Sequence, residues 1–163
     1  MKIQIDIRNL QKQIPLKTDQ VISRAKEILR HEAVTNAELS VVFVNDQRIK
    51  ALNKKYLNVH RATDVLAFDF LSLVKQQDIL KPKAINGEII ISTGAVCRQA
   101  KIFQNSRERE LTLYLIHGIL HLLGFDDHRS KDIKRMRDKE GELLSFLKIK
   151  AEKGSRKIRN SKL

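Results

Sequence analysis

Apolar residues alternate with polar ones at the start of the chain and then recur at helical spacing. Ile3, Ile5 and Ile7 occupy every second position, which predicts a half-buried β-strand. A helix capped by Thr18 should follow, because the next apolar residues recur three and four positions apart: Val21, Ile22, Ala25, Ile28 and Leu29. The chain is therefore predicted to begin with a strand and a helix.

The same two patterns recur farther along the chain. β-Branched and aromatic residues are frequent in three segments that are predicted as strands: 39–44, 63–70 and 88–92. Helical spacing predicts four more helices, the first capped by Asp46: 46–56, 93–104, 106–123 and 130–147. Residues 71–87, which include one of the two prolines, are predicted to form a surface connection.

This order of elements predicts the fold class. Strands cluster in the first part of the chain, and helices lie between and after them, which is typical of an α+β fold. The chain has 163 residues, the size of one ordinary domain. We therefore expect a single α+β domain over residues 1–147, with one sheet of about four strands backed by helices.

Charge indicates the class of partner. Lys and Arg total 32 against 19 Asp and Glu, which gives a net charge of +13. Such a charge favours nucleic acid as a partner, ahead of an anionic membrane surface. Residues 148–163 carry seven Lys or Arg and one Glu. This basic tail is expected to be disordered when free, and it serves either for solubility or as a phosphate-binding arm.

Three features predict a cytoplasmic protein that does not enter a membrane. The first residues, MKIQIDIRN, alternate in polarity, whereas a secretory signal has a continuous apolar run. No uncharged apolar segment reaches the roughly 18 residues that a membrane-spanning helix needs. The single Cys97 excludes an intramolecular disulfide and favours a reducing compartment.

Residues 117–128, HGILHLLGFDDH, place metal-binding side chains inside the most apolar part of the chain. The surrounding segment is apolar on almost every face, which predicts a buried helix with His117 and His121 one turn apart on the same side. Gly124 can adopt the left-handed conformation that ends a helix and turns the chain back. The residues beyond this turn would then approach the two imidazoles: Asp126, Asp127 and His128.

This arrangement is typical of a tetrahedral zinc site with one open position. We expect one zinc ion per chain, bound by His117, His121 and either Asp127 or His128. Gly118 lies inside the helix, where a glycine costs about 1 kcal/mol relative to alanine, which indicates that something packs closely against the backbone there. The alternative is that the two imidazoles are hydrogen-bonded core residues. The remaining histidines, His31 and His60, are predicted to lie on the surface.

The chemistry of such a site favours RNA over peptides. The protease pattern H-E-x-x-H has a glutamate beside the first histidine, and Gly118 stands there instead, which makes a metallopeptidase unlikely. A zinc ion without that glutamate can still polarise a phosphoryl oxygen. RNA also carries its own nucleophile, the 2′-hydroxyl. The basic charge and the metal pattern together therefore favour phosphodiester cleavage.

The chain resembles the YbeY family of metal-dependent endoribonucleases. Residues 117–128 are similar to that family's H-G-x-L-H-L-x-G-Y-D-H pattern, and three further segments resemble family segments in the same order: LNKKY at 52–56, TDVLAF at 63–68 and GEIIIS at 87–92. The resemblance implies an α+β fold with a central mixed sheet and zinc bound by the long pattern. It also implies a role in maturing ribosomal RNA at the small-subunit 3′ end and in ribosome quality control. Single-stranded ribosomal RNA would be the substrate, and the small ribosomal subunit and assembly factors would be partners.

Two departures from the family pattern bear on the site. When the two patterns are aligned without a gap, the family's third histidine falls on Asp127, and His128 lies one position further. Either residue can therefore be the third ligand, and Asp127 is slightly favoured. The family's arginine after the tyrosine is Leu57 here, and Arg61 is the candidate to replace it, unless Arg61 is simply a solvated charge. The predicted catalytic residues are therefore His117 and Arg61.

RNA contacts are predicted from basic residues that precede the TDVLAF strand: Arg48, Lys54, Lys55 and Arg61. Leu57 also supports a second hypothesis from another class of protein. In that alternative, the chain is a ribosome-assembly factor in which the metal is structural and cleavage has been lost.

Overall fold

The computed structural model describes residues 2–58, 63–71 and 83–151. Four strands are present in this part of the chain: β1 (Lys2–Asn9), β2 (Val34–Val44), β3 (Val65–Asp69) and β4 (Lys83–Ser92). Five helices accompany them: α1 (Thr18–His31), α2 (Asp46–Leu57), α3 (Thr93–Phe103), α4 (Arg107–Leu122) and α5 (Ser130–Phe146).

The strands form one mixed sheet in the order β1-β2-β4-β3. β2 pairs in parallel with β1 and with β4, whereas β3 pairs with β4 in the antiparallel sense and forms an edge. The helices between parallel strands provide the crossovers that such pairing requires. The predicted α+β class, with a sheet of four strands backed by helices, is confirmed.

One face of the sheet, here called the covered face, is buried under most of the helices. Alternate strand residues such as Val41, Phe43, Ile89 and Ile91 point to this side and belong to the main hydrophobic core. Helices α1, α3, α4 and α5 all contribute side chains to that core. Helix α4 is buried on nearly every side from Glu110 onward, which explains why its sequence is apolar all round.

The opposite face, here called the α2 face, carries a smaller apolar cluster. Val42, Val44, Leu66 and Ile90 of the strands pack there against Ile49 of α2. α2 is the one described helix in this cluster. Glu38 and Ala84 lie on the same face toward the other end of their strands and are exposed, so α2 covers one end of this face.

Two strands are longer than predicted. β4 begins at Lys83, so residues 83–87 of the predicted surface connection are in fact part of the sheet. The sequence there contains Asn and Gly, which are depleted in strands, but pairing with β2 supplies backbone partners that outweigh this local preference. β2 similarly begins at Val34 and not at Leu39. A pairing irregularity between Val34 and Asn36 interrupts the alternation of buried and exposed residues there, so the sequence pattern did not predict this part of the strand.

Both predicted helix caps were displaced by one residue. Thr18 is the first helical residue of α1, where Lys17 occupies the cap position without a capping side-chain bond. In α2 the cap is Asn45, whose Oδ1 accepts the backbone N–H of Arg48 at 2.9 Å. Asp46 instead accepts a hydrogen bond from the hydroxyl of Ser92 at 2.7 Å and therefore ties α2 to the end of β4.

The predicted tail begins with residues that contact the core. Ile149 packs against the main core, and its carbonyl oxygen accepts a hydrogen bond from Nη1 of Arg109 at 2.7 Å. Residues 152–163 of the tail lie outside the described residues. Within the described ranges, none of the helices combines the length and the apolar character needed to cross a bilayer.

Candidate metal centre

The end of α4 reverses the chain as predicted. Gly124 has a φ of +88°, and its N–H donates to the carbonyl oxygen of His121 at 2.9 Å. The N–H of Phe125 donates to the carbonyl oxygen of Leu120 at 3.0 Å, which completes a Schellman turn. This turn directs the residues after Gly124 back toward the histidines.

The two imidazoles of α4 face each other on one side of the helix. Nε2 of His117 lies 2.9 Å from Nε2 of His121, and the ring centroids are 4.5 Å apart at an interplanar angle of 82°. The expected convergence of the two rings is therefore present.

A carboxylate completes this group from beyond the turn. Oδ2 of Asp127 lies 3.7 Å from Nε2 of His117 and 3.8 Å from Nε2 of His121. Ligand atoms placed about 2.0 to 2.2 Å from a tetrahedral metal ion are about 3.3 to 3.6 Å from each other. The three observed distances bracket that range, so His117, His121 and Asp127 form a group that can bind a metal ion.

The outer nitrogens of both rings are held by acceptors. Nδ1 of His117 lies 2.7 Å from Oε1 of the buried Glu140, and Nδ1 of His121 lies 3.1 Å from the carbonyl oxygen of Phe125. A carbonyl and an ionised carboxylate can only accept, so each Nδ1 carries the proton and each Nε2 presents a lone pair. Two lone pairs at 2.9 Å repel each other unless a cation or a proton lies between them. The donor set therefore fits a bound metal ion.

Burial favours the unprotonated form of His121. His117 is only 5% exposed, whereas His121 is half-buried at the mouth of the site. Burial, and after it the repulsion that a protonated His117 would exert, lowers the pKa of His121 below its ordinary value of 6.5, although Asp127 partly opposes this shift. A lowered pKa favours the unprotonated ring, which is the form that binds metal.

His128 lies apart from the imidazole pair. Its side chain is 83% exposed and pairs with Asp126, and its Nδ1 comes within 3.9 Å of Oδ1 of Asp127. The pairing with Asp126 raises the pKa of His128. Of the two candidates for the third ligand, the structure brings Asp127 and not His128 to the pair.

Among the predicted surface histidines, His31 packs beside Phe146 at a centroid distance of 4.3 Å, and His60 lies outside the described residues.

Close packing fixes α4 against the sheet. A Cβ added to Gly118 would lie 2.6 Å from Cγ2 of Ile89, so only glycine allows this approach. One turn before His117, the hydroxyl of Tyr114 donates to Oδ2 of Asp64 at 3.1 Å. Asp64 belongs to the TDVLAF segment, which therefore helps to hold the histidine helix in place.

Glu140 is a site residue that the sequence reasoning missed. It lies on α5 and is almost fully buried, although this helix is otherwise rich in exposed charges. One signal was available: Glu140 is four residues from both Met136 and Leu144, so it falls on the apolar face of the helix. A charged residue on an apolar face indicates a buried partner, which here is His117.

The predicted RNA-binding residues lie elsewhere. Arg48, Lys54 and Lys55 are exposed on α2, the helix that packs on the α2 face, whereas α4 packs on the covered face. Leu57 is the last residue of α2 and is 54% exposed. The position that corresponds to the family arginine therefore carries an exposed apolar side chain. Arg61 lies outside the described residues.

The fold is α+β with a mixed sheet, and its buried helix α4 carries two imidazoles that meet a carboxylate from beyond the turn. These features define a class of candidate metal-dependent enzymes. The family model described as Endoribonuclease YbeY matches residues 6–148. A relative named Endoribonuclease YbeY from Thermodesulfovibrio yellowstonii is 35% identical over 163 aligned residues, covering 91% of this chain and 99% of the relative. Another of the same name from Caldicellulosiruptor bescii is 36% identical, covering 79% of this chain and 83% of the relative. The chain belongs to the YbeY endoribonuclease family.

A solved structure supports the fold. The solution structure of a Thermotoga maritima protein superposes with a TM-score of 0.55 and 24% identity, covering 94% of this chain and 100% of that protein. Family membership confirms the resemblance drawn from the sequence and the predicted endoribonuclease activity. RNA is therefore the class of substrate.

Proposed function

We propose that this protein is a zinc-dependent, single-strand-specific endoribonuclease that matures ribosomal RNA at the small-subunit 3′ end and takes part in ribosome quality control. The observation that supports this most is the triangle of Nε2 of His117, Nε2 of His121 and Oδ2 of Asp127. Two nitrogens and one oxygen at these distances suit one zinc ion per chain, with a position left open for a phosphate.

Each residue of the site has a distinct role in this proposal. Glu140 accepts a hydrogen bond from Nδ1–H of His117 and so fixes the ring with Nε2 toward the site, as the carbonyl of Phe125 does for His121. Asp127 contributes a negative charge that offsets the metal charge. When bound, zinc supplies a Lewis acid for a phosphodiester oxygen of the RNA. Arg61 would stand in for the family arginine that is Leu57 here and would stabilise charge on the phosphate.

Ribosomal RNA as the substrate, the small ribosomal subunit and assembly factors as partners, and action in the cytoplasm are part of the same proposal. They draw on the family resemblance and on the net charge of +13, which favours a phosphate-rich partner. Arg48, Lys54 and Lys55 are the described cations proposed to contact the RNA.

Cleavage of an end-labelled, single-stranded fragment of small-subunit ribosomal RNA tests this function. The full-length protein should cut the fragment, stop cutting it in a chelator, resume when zinc is added, and spare the same fragment in a duplex. His117→Ala should reduce cleavage to background, whereas His31→Ala, which changes an exposed histidine beside Phe146, should cleave normally. Cleavage that persists in the chelator or in His117→Ala would contradict the proposal.

Exposed Leu57 favours a second candidate function, because a family arginine is missing there. In this alternative, the protein binds the small ribosomal subunit without cutting RNA, and the metal stabilises the fold. Subunit binding that survives His117→Ala, with no cleavage by the wild-type protein in zinc, would establish it.

A further inference from the structure

The α2 face carries a cleft of about 470 Å³ on the opposite side of the sheet from the imidazole pair. One wall is a single side of α2, formed by Arg48, Leu52 and Tyr56 at intervals of four residues. The other wall and the floor come from the strands. Because α2 covers only one end of this face, the cleft opens where the helical cover stops.

Aromatic rings stand exposed in this cleft. Tyr56 is 57% exposed and Phe70 is 45% exposed, and the ring of Tyr56 meets that of Phe68 edge-on at 5.5 Å. Phe68 and Phe70 are two positions apart at the end of β3 and therefore project from the same face. Aromatic side chains on an open sheet face are a recurrent platform on which the bases of single-stranded RNA stack.

The polar groups of the cleft also suit a nucleotide. Arg8 of β1 and Arg48 of α2 both line it, and within the described ranges neither guanidinium has an ion pair with a carboxylate. Glu88 is paired with Phe68 across the strands and is half-buried, and no donor contacts its carboxylate in the described part of the chain. Two cations, exposed rings and one acceptor match the phosphates, faces and amino groups of nucleotides better than they match a purely apolar segment.

We infer that this cleft is a second RNA subsite, which stacks a base of single-stranded RNA on Tyr56 and Phe70 while Arg8 and Arg48 contact neighbouring phosphates. The inference rests on the proposed function, because that function makes single-stranded RNA the ligand. β3 is one edge of the sheet and contacts α4. We expect an RNA strand that occupies both sites to pass over this edge, and the cleft to contribute to affinity rather than to the cleavage step.

Affinity measurements on single variants test the stacking. The probe is a fluorescein-labelled 2′-O-methyl decaadenylate, which resists cleavage, titrated with the zinc-loaded full-length protein and followed by anisotropy. Tyr56→Ala and Phe70→Ala should each weaken binding by about 5- to 150-fold, the loss of one stacked base. Ile102→Ala, which removes an exposed apolar side chain on α3, is the matched control and should bind within twofold of wild type. Binding within twofold of wild type in both aromatic variants, with an unchanged circular dichroism spectrum, would overturn the inference.

The dependence of binding on salt tests the arginines. Arg8→Gln should reduce the slope of log affinity against log salt by about 0.7, the value for one phosphate contact on a single strand. An unchanged slope in both Arg8→Gln and Arg48→Gln would remove the phosphate contacts from the inference.

Three further results separate this inference from its alternatives. Cleavage of the ribosomal fragment with no effect of the aromatic variants on affinity would overturn the cleft and leave the proposed function standing. Weakened binding in those variants with no zinc-dependent cleavage would overturn the proposed function and leave the cleft standing. The third result comes from sedimentation, which measures the oligomeric state. A wild-type dimer that Phe70→Ala converts to monomer would assign the cleft to a second copy of the chain and overturn RNA as its occupant.

Discussion

The covered face and the α2 face of the sheet differ in how completely helices bury them. On the covered face, α1, α3, α4 and α5 close over a continuous core, and the imidazole pair lies within α4, the most buried helix. On the α2 face, one helix covers one end and leaves rings and guanidinium groups exposed. Packing therefore holds His117 and His121 in place, whereas the rings and guanidinium groups of the cleft are open to a ligand.

Disturbing the support of the metal site on the covered face should have the strongest effect. Glu140→Gln keeps an acceptor for Nδ1 of His117 but removes the negative charge behind the ring. Zinc affinity should fall by about 10- to 100-fold, which is typical for loss of an outer partner of a metal-binding histidine. Competition with a chromogenic chelator measures it. Glu142→Gln is the matched control, because Glu142 is exposed on the same helix, and equal affinities for the two variants would refute the role given to Glu140.

The second test compares two helical glycines. A Cβ at Gly118 meets the fully buried Ile89 at 2.6 Å, whereas a Cβ at Gly141 of α5 has open space around it. Gly118→Ala should lower the free energy of unfolding by about 1 to 3 kcal/mol through overpacking. Gly141→Ala should raise it by about 0.5 to 1 kcal/mol, because alanine favours the helix. Urea unfolding measures both changes, and a stabilising Gly118→Ala would show that α4 is not pressed against β4.

The smallest effect is expected on the α2 side. A hydrogen bond from Arg98, together with a smaller one from Ser92, lowers the pKa of Asp46 below its ordinary 3.8, although partial burial opposes the shift. A carboxyl group whose pKa is lower in the folded chain stabilises the fold above its unfolded pKa and loses that contribution as the pH falls through its folded pKa. Asp46→Asn should therefore be less stable than wild type by less than about 1 kcal/mol at pH 7, since the ion pair is partly exposed.

Unfolding measured over a series of pH values provides the control for the Asp46→Asn prediction. The difference in unfolding free energy between wild type and Asp46→Asn should shrink as the pH falls below about 4. A difference that stays constant or grows toward acidic pH would contradict the assigned pKa shift.

The sequence predicted those features that are encoded locally. The alternation of Ile3, Ile5 and Ile7, the apolar helix around His117 and the turn at Gly124 are all present in the structure. Each depends on residues that are neighbours along the chain or one helical turn apart, so a window of the sequence contains the whole signal.

The remaining features depend on contacts between distant elements. Residues 83–87 become a strand because β2 lies beside them, and the support of His117 by Glu140 requires α5 to fold back on α4. The approach of Asp127 to the imidazoles depends on side-chain directions after the Gly124 turn, which spacing alone left open between Asp127 and His128. The cleft likewise requires β1, α2 and the end of β3 to meet, and no sequence window contains all three.

Zinc content measured by elemental analysis on three purified proteins shows whether His117, His121 and Asp127 hold the metal ion. Wild type and His128→Ala are predicted to hold about one zinc ion per chain after dialysis, and Asp127→Ala should hold far less, because it loses one of three ligands. A wild-type protein that takes up no zinc, or zinc that stays in Asp127→Ala and leaves His128→Ala, would contradict the account.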